Sequence, residues 1–131
     1  MFAENKVPLV DLDAMAEPFA AWLIPRLADG RYFGFVAEAG GRIVAGVGLM
    51  LLDWPPHSLH PESALRGYIL NVYVEPEFRG AGLAKELMHR AEDEFRRRGV
   101  GFEVLHASAM GRALYEGLGW SAMPEMGKAL R

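Results

Sequence analysis

A short glycine-rich segment between two apolar patterns constrains the fold of this chain most strongly. The segment reads Arg79-Gly80-Ala81-Gly82-Leu83-Ala84. Before it, Tyr68–Val74 is rich in β-branched, aromatic and large apolar residues, which favours a strand that ends before Pro76. After it, apolar residues recur at helical spacing as far as Phe95, and Gly99 is a natural stop. The pattern therefore predicts a strand, a tight loop and a helix.

The loop of this unit predicts an anion site. The first N–H groups of a helix have no partner within the helix and carry partial positive charge. Residues with little or no side chain let a ligand approach the backbone, and Arg79 adds a guanidinium that suits phosphate geometry. One interpretation is a phosphate or pyrophosphate bound at Arg79–Ala84. The other is a tight connection whose glycines serve only the turn, since short glycine patterns often occur without a ligand. Neither the Walker nor the dinucleotide pattern fits this segment.

Composition limits the classes of protein to consider. The 131 residues suit one domain over residues 1–131, and 51% apolar content argues against disorder. A net charge of −3 predicts no basic surface for nucleic acid. The absence of cysteine removes disulfides and thiol nucleophiles. No run has the length of a membrane span and no leader pattern is visible, so we expect a cytoplasmic protein with no membrane partner.

The first half of the chain predicts helices followed by a hairpin. Helical spacing over residues 12–28 is interrupted by Pro18 and Pro25. It predicts a short first helix and a second one that begins near Pro18. Tyr32–Glu38 and Ile43–Leu52 then predict two strands, joined by a turn at residues 40–41. A long, proline-containing loop over residues 53–66 follows.

The second half predicts a parallel strand pair. Gly101–Ala107 predicts a strand that pairs in parallel with Tyr68–Val74, because a helix connects the two. Ser108 can cap a short helix over Ala109–Gly117. A final strand is predicted around Ser121–Met126. The fold class is α/β (α+β).

Two motifs resemble those of the GNAT superfamily of N-acetyltransferases. Arg79-x-x-Gly82-x-Ala84 after a strand resembles the acetyl-CoA-binding motif R/Q-x-x-G-x-G/A. Residues 108–120 resemble the later motif N-x-x-A-x-x-x-Y-x-x-x-G-F, with Tyr115 at the tyrosine and Trp120 at the phenylalanine. The resemblance covers about residues 32–120. It implies a GNAT-like mixed sheet, in which an antiparallel meander leads into a parallel strand pair flanked by helices.

The resemblance also implies a cosubstrate and residue roles. Acetyl-CoA would place its pantetheine arm along the strand and its pyrophosphate in the loop. The implied cofactor-binding residues are Val72, Tyr73, Val74, Arg79, Gly80, Ala81, Gly82, Leu83, Ala84 and Ser108. Tyr115 is implied as the acid that protonates the leaving thiolate, and the alternative is that it only packs beside Trp120. A backbone N–H of Val72 or Val74 would polarise the thioester carbonyl.

The general base is left open by the sequence. Many GNAT members carry a glutamate on the central strand, where this chain has Tyr68. Asp53, His57, His60 and Glu62 of the long loop are candidates, although for each of them the solvated loop residue is the favoured interpretation. The spacing of His57 and His60 comes without further ligands, so no metal site is expected.

The implied reaction is direct transfer of an acetyl group to a primary amine of a small molecule or peptide. A CoA-binding sensor or subunit without catalysis is the second hypothesis, and transfer of a larger acyl group is the third. The first strand and helix of the family are shortened in this sequence, and those helices line the acceptor groove in relatives. A symmetric homodimer is one way to cover the apolar surface that this shortening leaves.

Overall fold

A computed structural model describes residues 9–56, 58, 61–108 and 111–130, with side chains from residue 18 onward. The elements in chain order are helix α1 Leu9–Asp29, strands β1 Tyr32–Ala39, β2 Arg42–Asp53 and β3 Leu65–Val74, a 3₁₀ turn Pro76–Phe78, helix α2 Leu83–Arg97, strand β4 Phe102–Leu105 and helix α3 Arg112–Gly117. None of the described helices combines the length and apolar character needed to cross a membrane.

The four strands form one mixed sheet in the order β1-β2-β3-β4. β1 with β2 and β2 with β3 are antiparallel, whereas β3 with β4 is parallel. The predicted meander that leads into a parallel pair is therefore confirmed. The β3–β4 pairing runs only from Arg66 with Phe102 to Ile69 with Leu105. Beyond Ile69, β3 continues to Val74 with β2 as its one partner among the described strands.

Helix α2 packs on one face of this sheet, which we call the α2 face. Leu49 of β2 and Met88 of α2 are fully buried there, and Ile69 and Phe95 are nearly so. A Cβ atom at Gly67 would lie 2.7 Å from the Phe95 ring, so helix and sheet are in close contact. Burial of these side chains is the main favourable term that holds α2 on the sheet.

Helix α1 contacts the opposite face of the sheet, which we call the α1 face. The Trp22 ring meets the Tyr32 ring edge to face, with centroids 6.0 Å apart. The prediction of two helices broken at Pro18 is wrong, because α1 is continuous and contains both Pro18 and Pro25. Each proline removes only one backbone donor, and the packing of Trp22 and Phe19 helps to offset that loss.

Two strand predictions near the C-terminus are also corrected. The strand predicted over Gly101–Ala107 spans only Phe102–Leu105, because its partner β3 separates from it after Ile69. No strand forms around Ser121–Met126, and residues 120–130 carry no regular secondary structure. Pro124 lacks the N–H that a strand ladder would need at that position. β3 itself begins at Leu65, earlier than predicted.

Candidate active site

The predicted strand, loop and helix are all present at residues 65–97. Gly80 and Gly82 adopt φ angles of 83° and 80°, which residues with a Cβ atom rarely adopt. Gly82 is the N-cap of α2 and provides no side-chain cap, so the first amides of α2 receive no cap from it. The loop thus presents helix N–H groups beside a backbone without bulky side chains.

A cavity of about 320 Å³ lies directly beside this loop. Its lining joins three elements, the end of β3, the start of α2 and α3. The lining residues are Val74, Phe78, Arg79, Gly80, Gly82, Leu83, Ala84, Lys85 and Leu114. The Arg79 Nε atom donates a hydrogen bond to the Val74 carbonyl at 3.0 Å, which ties the loop to the strand end. Arg79 therefore has a positioning contact in addition to the predicted contact with phosphate.

A β-bulge interrupts β3 next to the point where β4 leaves it. Leu70 pairs with Gly48 and Tyr73 with Gly46, so Asn71 and Val72 together oppose one residue of β2. Asn71 has a φ of 54°, which is uncommon for a residue other than glycine. The extra residue resets the alternation of side chains, and a bulge of this kind redirects backbone groups.

The bulge decides where the implied pantetheine-binding residues lie. Val72 packs with Val74 against the buried cluster on the α2 face. Asn71 instead donates from Nδ2 to the Tyr32 hydroxyl at 3.1 Å. The structure therefore brings Val72–Val74 and Arg79–Ala84 onto one continuous strand edge and loop. Ser108 is not part of the cavity lining, and its hydroxyl accepts a hydrogen bond from the Gly111 N–H at 3.1 Å.

Helix α3 separates the loop cavity from a second, larger cavity. Leu114 lines the small cavity, whereas the neighbouring Tyr115 lines the large one. Burial raises the pKa of the Tyr115 phenol, so this side chain keeps its proton near neutral pH. The Tyr115 ring also lies 6.3 Å from the Trp120 ring, so the packing predicted as its alternative role is present.

The larger cavity, of about 930 Å³, lies along β4 between α3 and residues 119–127. Glu103 of β4 lines it, and its Oε1 atom is buried without a hydrogen-bond partner among the described residues. Burial, together with the neighbouring Glu92 carboxyl, raises the pKa of Glu103 to about 8. This cavity does not adjoin the glycine loop, so its size alone does not identify the cofactor site.

Of the candidate bases predicted in the long loop, Asp53 lies far from the bulge. Asp53 and Glu62 are exposed, and His57 and His60 lie outside the described residues. Asp53 pairs with Leu65 at the start of β3. At about 3.3 Å per residue, Asp53 is roughly 20 Å along the strand from Asn71. Among the described residues, no group of three or more potential metal ligands is present.

The sequence interpretation missed two side chains near β3. Arg66 is only 8% exposed and lies between the rings of Trp54 and Phe102, at 4.2 and 5.4 Å from their centroids. His106 lies beside Tyr68, whose hydroxyl is 2.9 Å from His106 Nδ1. Both contacts depend on the register between β3 and β4. A single sequence does not reveal that register, although parallel pairing itself was predicted.

Comparison with known proteins identifies the family. The family described as "Acetyltransferase (GNAT) family" matches residues 4–120. A GCN5-related N-acetyltransferase from Ralstonia eutropha JMP134 is 53% identical, with a TM-score of 0.93 over 99% of this chain and 85% of its own. A predicted acetyltransferase with acetyl-CoA from Clostridium acetobutylicum is 26% identical, with a TM-score of 0.84 over 98% of this chain and 82% of its own. No curated protein matches the chain in sequence.

The chain therefore belongs to the GNAT acetyltransferase family, a family that uses acetyl-CoA. A more distant structure is glucosamine-6-phosphate N-acetyltransferase from Arabidopsis thaliana, which is 24% identical. The match covers 88% of this chain and 78% of that chain, with a TM-score of 0.68. At that identity the likeness concerns the fold alone. The expected fold and family are thus confirmed, and the roles of individual residues stay predictions.

The buried Glu103 carboxyl should make the free energy of unfolding depend on pH. Its folded pKa of about 8 exceeds its ordinary value of 4.5, so the native state binds this proton more tightly than the unfolded state. The free energy of unfolding should therefore fall as the pH rises through this interval. We expect Glu103→Gln to lose that part of the slope and to gain stability relative to the wild type as the pH rises.

Denaturant unfolding at several pH values across the same interval measures this effect. Glu38→Gln, at an exposed position of β1, is the matched control and should follow the wild-type curve. Parallel curves for Glu103→Gln and the wild type would contradict the assignment of a raised pKa to Glu103.

Proposed function

We propose that this protein is an acetyl-CoA-dependent N-acetyltransferase that transfers the acetyl group directly to a primary amine of a small molecule or peptide. One observation carries the proposal. The glycine loop at the start of α2 is continuous with the part of β3 that β4 leaves unpaired. A ligand with a phosphate end and an extended amide arm fits this combination of a helix N-terminus and a strand edge.

The residues divide the binding of acetyl-CoA between loop and strand. The amides at residues 80–84 would hold the pyrophosphate, and the edge of β3 at Val72–Val74 would pair with the pantetheine amides. The bulge at Asn71 would then meet the acyl end, where a redirected N–H of Val72 can polarise the thioester carbonyl. Acetyl-CoA in the related Clostridium acetobutylicum structure supports this choice of cosubstrate.

Tyr115 is the proposed acid of the reaction. The amine nitrogen attacks the thioester carbon, an N–C bond forms, the C–S bond breaks, and the thiolate takes the phenolic proton. The extra proton on the attacking nitrogen is then lost to water, and a proton from water restores the Tyr115 phenol. The raised pKa of Tyr115 keeps that proton in place until the thiolate forms. The second candidate function, a CoA-binding sensor or subunit, is favoured by Tyr68 at the position where many relatives carry a glutamate.

Assembly and location are further parts of the proposal. Ile24 and Leu27 of α1 are 64% and 52% exposed, which supports a homodimer that covers this helix. Light scattering after size-exclusion chromatography would measure the mass directly. A cytoplasmic location and a single domain over residues 1–131 stay predictions.

The proposed function is tested by binding and turnover in one sample. We expect acetyl-CoA to bind in a calorimetric titration, and thiol release to depend on one or more members of a panel of amines, amino acids and peptides. Mass spectrometry of the acceptor should show the added acetyl group. Binding without amine-dependent release would favour the sensor, and no binding would refute both functions. Propionyl-CoA in the same assay distinguishes acetyl transfer from transfer of a larger acyl group.

A pair of substitutions at Gly82 tests the pyrophosphate site. Gly82→Ala and Gly82→Glu impose the same backbone strain, because both place a Cβ atom at a φ of 80°. Only the glutamate adds negative charge at the start of α2. We therefore expect acetyl-CoA affinity to fall further in Gly82→Glu, by tenfold or more relative to Gly82→Ala, with a difference that shrinks at high salt. Equal calorimetric affinities would show that the anion binds elsewhere.

Tyr115→Phe tests the acid. The ring and its contact with Trp120 are retained, so the fold should be unaffected and only the phenolic proton is lost. We expect kcat to fall by roughly 10²-fold with little change in acetyl-CoA affinity. Undiminished turnover, measured as thiol release, would leave Tyr115 with a packing role alone.

A further inference from the structure

We propose that Tyr68 and His106 act together as the base that takes the proton from the acceptor ammonium. The inference rests on the proposed function, because it identifies the missing base of that reaction. The structure places a phenol and an imidazole in hydrogen-bond contact where β3 and β4 separate, level with the bulge that would meet the thioester.

The position of the pair follows from the strand register. Ile69 pairs with Leu105, and there the β3–β4 ladder ends. His106 is the next residue of the chain and is therefore level with Leu70, one residue before Asn71. None of the described carboxylates of the long loop reaches this point, whereas the Tyr68–His106 pair lies beside it.

The side chains point to the α1 face, where an acceptor can reach them. Gly67, one residue before Tyr68, faces Phe95 of α2, so Tyr68 points away from α2. Asn71 and Tyr32 form their hydrogen bond on the same α1 face. These side chains make a row of polar groups across the sheet. Such a row can receive an amine beside the acyl end of the proposed cosubstrate.

The contacts within the pair suit a proton relay. The Tyr68 hydroxyl lies 2.9 Å from Nδ1 and 3.1 Å from Nε2 of His106, and the rings meet at 86°. The Nε2 atom lies 3.5 Å from Oε2 of Glu125. We assign the phenolic O–H as donor to Nδ1, which leaves the Tyr68 oxygen able to accept a proton and places Nε2–H toward the Glu125 carboxylate.

The phenol needs its partner to act as a base. Burial and the Glu125 charge raise the pKa of Tyr68, so the phenol alone holds its proton near neutral pH. The His106 Nδ1 atom lies where it can accept the phenolic proton, and the Glu125 carboxylate lies beside His106 Nε2. Tyr68 would therefore touch the acceptor, while His106 acts through Tyr68 as the proton sink.

The proton balance of the step is complete. The ammonium N–H bond breaks and a Tyr68 O–H bond forms, while the original phenolic proton moves to His106 Nδ1. The free amine attacks the thioester as described above, and the imidazolium then returns its proton to water. The 77% exposure of the His106 side chain allows that return. No other reactant is required.

Other charged groups near the pair bear on its pH dependence. Tyr68 of β3 and Glu125 of the C-terminal segment face His106 directly. The further titratable or charged residues that line the cavity shared by His106 are Glu92, Arg96, Glu103, Arg112, Tyr115 and Glu116. Of these, Arg112 and Glu116 lie within 3.9 Å of each other, so their charges largely compensate.

The test compares His106→Gln and Tyr68→Phe with His89→Gln, a control at an exposed position of α2. With an acceptor that is an ammonium ion at neutral pH, kcat/KM should fall by roughly 10²-fold in both variants. The double variant should lose little more than either single variant, because the two residues form one relay. Above the pKa of the amine, most of the acceptor is already uncharged in solution, so the loss of kcat/KM should be smaller.

A second acceptor separates proton transfer from structure. An amine with an ammonium pKa well below neutrality is already uncharged at neutral pH, so no base is needed to deprotonate it. The His106→Gln variant should therefore acetylate this amine at nearly the wild-type rate. Equal losses with both acceptors, or losses that do not change with pH, would overturn the relay. His89→Gln should match the wild type throughout.

A binding measurement keeps the relay distinct from the proposed function. The His106 ring signals, assigned in NMR spectra by their loss in His106→Gln, should shift when acetyl-CoA is added and also in Tyr68→Phe. If acetyl-CoA binds but no amine is acetylated, the transferase proposal fails. If the His106 signals also stay unchanged on addition of acetyl-CoA, the relay is overturned as well. If turnover occurs and His106→Gln is fully active, only the relay fails.

Discussion

The candidate site depends on the unequal pairing of β3. Its first half is held between β2 and β4, whereas its second half has β2 as its single partner among the strands that the structure describes. A strand edge with unpaired N–H and C=O groups is a template for another extended amide chain. An exposed edge of this kind is a liability unless something covers it. The proposed cosubstrate has both amide and phosphate groups, so it would cover this edge and the glycine loop that continues from it.

Packing on the α2 face holds this arrangement in register. Leu49 and Met88 are fully buried between β2 and α2, which fixes the helix relative to the sheet. Because Gly82 is the N-cap of α2, the same packing fixes the loop amides relative to Val74. The hydrogen bond from Arg79 to the Val74 carbonyl adds a second tie at the end of the strand. The loop therefore has its binding geometry before any ligand arrives, so binding costs less conformational entropy.

The sequence predicted local features well and register-dependent features poorly. The strand, loop and helix at residues 65–97 follow from apolar periodicity, glycines and proline, all of which act within a few residues. The break at Pro18 was wrong because tertiary packing of α1 outweighs a local preference. The strand at Ser121–Met126 was wrong because apolar residues alone do not supply a neighbouring strand.

The Tyr68–His106 contact illustrates the limit of sequence reasoning about the site. The residues are far apart in the chain, and a shift of one residue in the β3–β4 register would send one of the two side chains to the other face. The bulge at Asn71 could not be predicted from the sequence either, because Asn is compatible with a positive φ but does not require it. The assignments of the loop and of Tyr115 come from motif resemblance, because each motif is a spacing within a single element or connection.

The two proposed proton-transfer groups lie on opposite sides of the sheet. Tyr115 packs against the buried cluster on the α2 face, whereas Tyr68 points to the α1 face. The β3–β4 ladder ends at Ile69 and Leu105, just before the bulge. On opposite faces, the two groups serve different atoms, Tyr115 the leaving thiolate and Tyr68 the acceptor ammonium. Separation by the sheet lets one phenol keep its proton for the thiolate while the other, through His106, removes a proton from the amine.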